Sequence, residues 1–233
     1  KIKKLTSKKI RCIGNLKLTS IKSTFSYKKL KKLKHSISAK KIILIASSHQ
    51  NEEVQILKIL REIYNKNNKF MTIIIPRHPD RSSYVLKIAN KFFSNASISY
   101  GNKFKKSTNC LIINSLGEMS TYYQLSDIVI LGGSFVNMGG HNPLEPAQNK
   151  CNILTGPSIY NWKNIYEEMV KEEALIICKT FSILCENINK FLINKKIEDK
   201  YKKNALKYSK KKNNIIKDLI SEIKPYLDIV SNA

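Results

Sequence analysis

The sequence predicts an α/β chain built on a doubly wound, Rossmann-like parallel sheet, and three observations predict it. Short β-branched runs recur along the chain, and helical patterns separate them. The runs are also mostly apolar throughout rather than alternating, as in strands covered on both faces. The runs fall at 42–46, 71–75, 110–114, 128–131, 152–154 and 174–177. The first, Ile-Ile-Leu-Ile-Ala, leads into a helical pattern over 52–65, and the second, Met-Thr-Ile-Ile-Ile, into one over 82–93. The third and fourth precede patterns over 118–125 and 143–149, the latter opened by Pro143. The last two precede patterns over 162–172 and 181–193.

With 233 residues, 42% of them hydrophobic, the chain can bury one sizeable core, so one domain with appendages is expected. Residues 1–41 read as a basic lead-in with a turn at Gly14-Asn15. Residues 42–194 read as the α/β domain, and 195–233 as a Lys-rich C-terminal helix with apolar Ile197, Tyr201, Ala205, Tyr208, Ile215 and Leu219. The chain opens Lys1-Ile2-Lys3-Lys4 rather than on Met, which leaves two readings open, a fragment and a complete polypeptide.

The formal net charge is +25, and its distribution says more than its size. Residues 1–41 carry 15 basic residues and no acid, 42–194 carry 16 against 12, and 195–233 carry 11 against 5. Solvated lysine faces of a Lys-heavy composition account for this, with an anionic membrane surface or anionic lipid as the second reading. Neither a recognition helix nor an RNA-binding aromatic motif is present, so no nucleic-acid partner is expected. The five cysteines are scattered without a Cys-x-x-Cys pair, which argues against disulfides and zinc and for a reducing, cytoplasmic setting. No apolar run has the length of a membrane span.

In an open parallel sheet, ligands bind outside the carboxyl ends of the strands. The residues there are Ser47-Ser48-His49, Pro76-Arg77-His78-Pro79, Ser115-Leu116-Gly117-Glu118, Gly132-Gly133-Ser134 and Thr155-Gly156-Pro157. Four of the eight glycines fall within 132–140. They allow positive φ and close approach of a ligand, with free N–H groups for anion oxygens; a flexible surface loop is the alternative. Next, Asn142 is expected to cap a helix with Pro143 at its first position and Glu145 bonding back to the cap. Such a helix start attracts phosphate. Glu145 is either a capping residue or an acceptor for ribose hydroxyls. Arg77 is one of only four arginines, and its planar fork can grip a phosphate in a way a Lys cannot. His49 suits donation to a carboxylate or phosphate, or plain loop capping, and His78 suits a loop-shaping role. No phosphate-loop, metal-pair, Asp-x-Asp or Gly-x-Ser-x-Gly motif appears, so no metal and no cofactor is expected.

At these residues the chain resembles the 3-deoxy-D-manno-octulosonic acid (Kdo) transferases of lipopolysaccharide synthesis. The stretches that carry the resemblance are Gly14-Asn15-Leu16-Lys17, Ala46-Ser47-Ser48-His49 with Glu52-Glu53, Pro76-Arg77-His78-Pro79 and Gly117-Glu118-Met119. To these are added LGGSFVNMGGHNPLEP from Leu131 to Pro146, and Gly156-Pro157 with Asn161. The resemblance covers roughly 12–190 and implies the C-terminal half of a GT-B glycosyltransferase, a domain that holds CMP-Kdo. It places Pro76, Arg77, Gly117, Glu118, Met119, Asn142, Pro143, Leu144 and Glu145 on CMP, with Ser134, Ser47 and His49 nearby, and gives Lys17 a charge-stabilising role in the transition state. It implies transfer of Kdo to a lipid A precursor, inverting and metal-independent, at the cytoplasmic face of the inner membrane. The general base and acceptor-binding domain of that family have no counterpart in these residues, so 1–41 would be the linker and end of an N-terminal acceptor domain. Three other readings stand beside this one: another GT-B transferase or nucleotide-sugar epimerase, a non-catalytic nucleotide-binding remnant, and, most distantly, a nucleic-acid-binding protein.

Overall fold

A computed structural model describes residues 26–37, 41–66, 70–99, 104–212 and 220–224. Its centre is a seven-stranded sheet, every adjacent pair of which runs parallel. The strands are β1 (Lys41–Ser48), β2 (Phe70–Pro76), β3 (Ala96–Ser99), β4 (Cys110–Ile113), β5 (Ile128–Leu131), β6 (Asn152–Thr155) and β7 (Ile176–Ile177). Their order across the sheet is β3-β4-β2-β1-β5-β6-β7. β1 therefore sits at the point where the chain, having built outward on one side, returns to build on the other. The expected α/β class and parallel sheet are what the structure contains.

Helices cover both faces, which is why the strands can be apolar on both sides. On one face lie α1 (Tyr27–Ser36), α4 (Met119–Leu125), α5 (Leu144–Gln148) and α6 (Lys163–Lys171), which share a core layer with Leu44, Val129 and Ile153. On the other lie α2 (Glu53–Lys66), α3 (Ser82–Ala89) and α7 (Phe181–Ile193), packed on Ile43, Ile74 and Ile112. The final helix, α8 (Lys195–Lys212), joins the layers: Ala205 and Tyr208 are buried in the first, while Ile197 and Tyr201 pack on the second. The expected apolar positions Ile215 and Leu219 lie outside the described residues.

Two elements go beyond the sequence expectation. β3, Ala-Ser-Ile-Ser, is too short and too polar to register as a buried strand, and it is an edge strand paired with β4 alone. α1 falls in the stretch read as a lead-in. Ser26 caps it by accepting from the Lys29 amide, and its Leu30 and Leu33 are buried in the core, each contributing about 1.5–3 kcal/mol. The four described cysteines are unpaired. Among the described residues, no helix is long and apolar enough to cross a membrane.

Candidate functional site

The carboxyl ends of β4, β2, β1, β5 and β6 lie side by side, and the loops after them form one face of the molecule. The switch of direction between β1 and β5 opens the crevice where ligands of such sheets bind. Two buried carboxylates set the shape of this face, and both come from the first turn region of α2.

Glu52 is fully buried. One of its oxygens accepts from the amides of His49 (2.9 Å) and Gly133 (2.7 Å), and the other from the amide of Phe135 (3.2 Å). It thus ties the loop after β1 to the glycine loop after β5. Glu53, also fully buried, accepts from the Ser48 hydroxyl at 2.8 Å and from both terminal nitrogens of Arg81 at 2.8 Å. That bidentate pair fastens the Pro76-Arg77-His78-Pro79 segment, because Arg81 ends the short 3₁₀ turn Pro79–Arg81 that follows it. Beneath, the Arg77 amide donates to the Ser48 carbonyl at 2.9 Å.

The glycine loop is not the open cradle of amides that its composition suggests. The amides of Gly133 and Phe135 serve Glu52, that of Gly132 serves the Ala46 carbonyl, and that of Gly140 serves the Gly133 carbonyl. The Met138 amide donates to Val136 and the Gly139 amide to the Ser158 hydroxyl at 2.9 Å. Most of the loop's N–H groups are consumed within the protein. Its glycines answer instead to packing and backbone: a Cβ on Gly132 would lie 2.3 Å from the Ser47 carbonyl oxygen, and Gly139 and Gly140 have φ of +79° and +70°.

With those amides occupied, side chains face the crevice. Arg77 is exposed and has no acidic partner among the described residues, whereas Arg81 is the arginine held in an ion pair. His49 and His141 meet across the switch point, Nε2 to Nε2 at 3.1 Å with rings stacked 5.3 Å apart, and His78 stands edge-on to His49 at 6.4 Å. Burial, followed by the neighbouring positive groups, holds His49 below the ordinary imidazole value and brings His141 down to about 4.

The other expected residues fall on the same face in differing roles. Pro76 is buried at the end of β2, and Ser47 has φ of +56° at the irregularity between β1 and β2. Ser134 is fully buried; its hydroxyl donates to the Leu131 carbonyl at 2.5 Å and accepts from the Gly156 amide at 2.7 Å, so it fastens the β5 loop to the β6 loop. Gly117 is exposed with φ of +78°, and a Cβ there would meet nothing. Glu118 accepts from the Ser115 hydroxyl at 2.5 Å and pairs with Lys29 of α1, while Met119 packs on the core. The helix after the glycine loop starts one residue later than expected: Leu144 is its first residue and Pro143 its cap. The Asn142 side chain still accepts from the Leu144 amide at 2.9 Å, in a turn two residues long rather than a capping box. Glu145 is half-buried; burial raises its carboxyl, and a hydrogen bond from Asn142 moderates the rise. Lys17 lies outside the described residues.

Sequence reasoning gave no role to Glu52, Glu53, Arg81 or His141. Glu52, Glu53 and His141 lie in stretches that carry the family resemblance, but the partners of the paired acids lie up to 83 residues away.

No family model matches the sequence. The chain is similar to the 3-deoxy-D-manno-octulosonic acid transferase of Haemophilus influenzae, 30% identical over 189 residues that make up 80% of this chain and 44% of that protein. It is similar also to that of Rickettsia conorii, 28% identical over 218 residues, 92% of this chain and 47% of that protein. It thus spans about half the length of the curated relatives it matches. Among solved structures, it resembles the C-terminal CMP-Kdo binding domain of WaaA from Acinetobacter baumannii with a TM-score of 0.71 and 26% identity, over 78% of this chain and 98% of that one. A UDP-GlcNAc 2-epimerase from Neisseria meningitidis shares the fold alone, with a TM-score of 0.56, 14% identity, and 83% of this chain and 48% of that chain covered.

Proposed function

From the sequence and fold that this chain shares with the C-terminal domain of Kdo transferases, we propose that it is the donor-binding half of an enzyme that transfers Kdo from CMP-Kdo to a lipid A precursor. The observation that carries the reading is the exposed Arg77 guanidinium at the carboxyl end of β2, on the same face as the His49–His141 pair and on loops tied by Glu52 and Glu53. A guanidinium without an acidic partner among the described residues, set in a crevice, is suited to a phosphate oxygen pair.

In this reading residues 42–194 hold the donor. Arg77 grips the phosphate, Glu145 accepts from the ribose hydroxyls, and Pro76, Gly117 to Met119 and Asn142 to Leu144 shape the nucleotide pocket. Ser47 and His49 line it, and Ser134 supports it from below. Lys17 stabilises charge in the transition state, and an N-terminal acceptor domain, to which 1–41 is the link, supplies the general base. The displacement is inverting and metal-independent, the acceptor is lipid IVA, and the setting is the cytoplasmic face of the inner membrane in lipopolysaccharide core synthesis. The basic ends suit an anionic lipid surface. A second reading, a transferase or epimerase that takes a UDP-sugar, is favoured by the fold shared with UDP-GlcNAc 2-epimerase.

Calorimetric titration with CMP, and with UDP in parallel, separates the two. The donor reading expects saturable CMP-selective binding, weakened about tenfold or more in Arg77→Ala and Glu145→Ala, as loss of hydrogen bonds to charged groups requires. Selectivity for UDP would favour the second reading, and a folded chain that binds neither nucleotide would overturn both.

A further inference from the structure

The turn that follows β4 is held in shape by a side chain rather than by packing. Asn114, Leu116 and Gly117 are exposed, and open space surrounds the Gly117 Cα. Glu118 supplies the ties. One of its oxygens accepts from the Ser115 hydroxyl at 2.5 Å, which folds the turn back on itself, and the other accepts from the Lys29 ammonium of α1. Among the described residues, no other hydrogen bond joins 115–118 to an element besides α4, the helix that the turn begins.

Lys29 stands at the electrostatically wrong end of its helix. The first turn of α1 carries Lys28 and Lys29 and no acid, where the helix dipole favours negative charge. Glu118 supplies that charge from across the gap between α1 and α4. The Lys29 side chain is only 18% exposed, whereas Lys28, Lys31 and Lys32 lie in the open, so Lys29 is committed to the contact and its neighbours are solvated. Leu30 and Leu33, buried in the core, fix the helix from which the ammonium is delivered.

The turn also stands beside Glu145. α4 and α5 pack against each other, Gln124 of α4 donating to Asn149 at the end of α5, and the two helices begin at Met119 and Leu144 on the crevice face. A nucleotide with its phosphate on Arg77 and its ribose on Glu145 therefore brings its base to the turn after β4. Each peptide group there offers one donor or acceptor to the edge of a base, and holding the turn beforehand spares the cost of ordering it on binding. We propose that Lys29 is a positioning residue for the nucleotide base: acting through Glu118, it fixes the turn over 115–118, and α1 is thereby part of the donor site. The inference rests on the donor-binding reading for the presence of a nucleotide.

Calorimetric titration of Lys29→Met, which keeps an apolar stem but no charge, tests this with CMP and with ribose 5-phosphate as its competitor. CMP should bind about fivefold more weakly than to the parent, the size of a well-formed ion pair. Ribose 5-phosphate carries the phosphate and the ribose without the base, and its affinity should be unchanged. Lys29→Arg should restore CMP binding. Glu118→Gln should weaken CMP to a similar extent, and Lys29→Met added to it should cost nothing more, because the lysine acts through the carboxylate. Without ligand, hydrogen exchange at the amides of 115–118 should quicken in Lys29→Met while the strands keep their protection. Unchanged exchange at the turn, equal loss of both ligands, or additive loss in the double variant would each overturn the proposal. A parent that binds CMP while Lys29→Met binds it equally well overturns this inference alone, whereas a parent that binds no CMP overturns the donor reading with it.

Discussion

Two arginines four residues apart show how far a side chain's chemistry depends on its partner. Arg81 is bound on both terminal nitrogens by the buried Glu53, while Arg77 is exposed at the crevice. Removing Arg81 leaves a fully buried carboxylate with only the Ser48 hydroxyl, which in comparable pairs costs about 3–5 kcal/mol. Arg81→Ala should therefore lower the urea midpoint sharply, whereas Arg77→Ala should change stability by less than about 0.5 kcal/mol while still impairing nucleotide binding. Equal destabilisation by both would sink this division of labour. Sequence reasoning could single out Arg77 from the scarcity of arginine and its place after a strand. It could not see Glu53, 28 residues earlier, reaching Arg81, because nothing local in either residue encodes the contact.

At the scale of elements, the loops after β1, β5 and β6 interlock through glycines at close approach. A Cβ on Gly156 would lie 2.3 Å from the Ser134 carbonyl oxygen, a backbone atom with no freedom to swing aside. Gly117 is different: it has a positive φ but open space around it. Gly156→Ala should thus cost more than the about 1–2 kcal/mol expected for strain alone in Gly117→Ala, and thermal denaturation of the two variants checks the order. The strands legible in the sequence were the apolar ones, since burial on both faces leaves a continuous run. β3 was not legible because an edge strand needs less apolar surface, and α1 was hidden because seven of its ten residues are Lys, His or Ser and only Leu30 and Leu33 reach the core. The glycine loop was placed correctly, but its amides were expected to be free. Their occupant, Glu52, lies 81 residues before Gly133, beyond the reach of any local pattern.

On the side opposite the crevice, a cluster of paired charges spans the amino ends of the sheet. There α8 passes the amino ends of the sheet, where Glu198, almost fully buried, meets Lys41 at the start of β1 and Lys202 of its own helix, and Lys202 reaches Asp127 just before β5. Burial alone would raise the Glu198 carboxyl, but hydrogen bonds from Lys202 and Lys41 outweigh it and hold it down to about 2. A depressed carboxyl contributes stability that is complete above its unfolded value and is lost as pH falls toward its folded one. Stability should accordingly decline from about pH 4.5 toward pH 2, and less steeply in Glu198→Gln. Melting temperatures across that range check it, a variant as acid-sensitive as the parent being the contrary result. Glu52 works in the opposite sense, because burial raises its carboxyl, so the comparison with the variant isolates Glu198. The parallel sheet was legible from the sequence, but the strand order was not, since periodicity carries no information on which strands lie side by side.

On the crevice side, the glycine loop is held by the chain's own carboxylate and so has its working shape before any ligand arrives. The cost of ordering it falls on folding rather than on encounter. Association should then show a single kinetic phase whose rate is linear in ligand concentration, with no slower rearrangement behind it. In a chain of net charge +25, that rate for an anion should fall as salt is added.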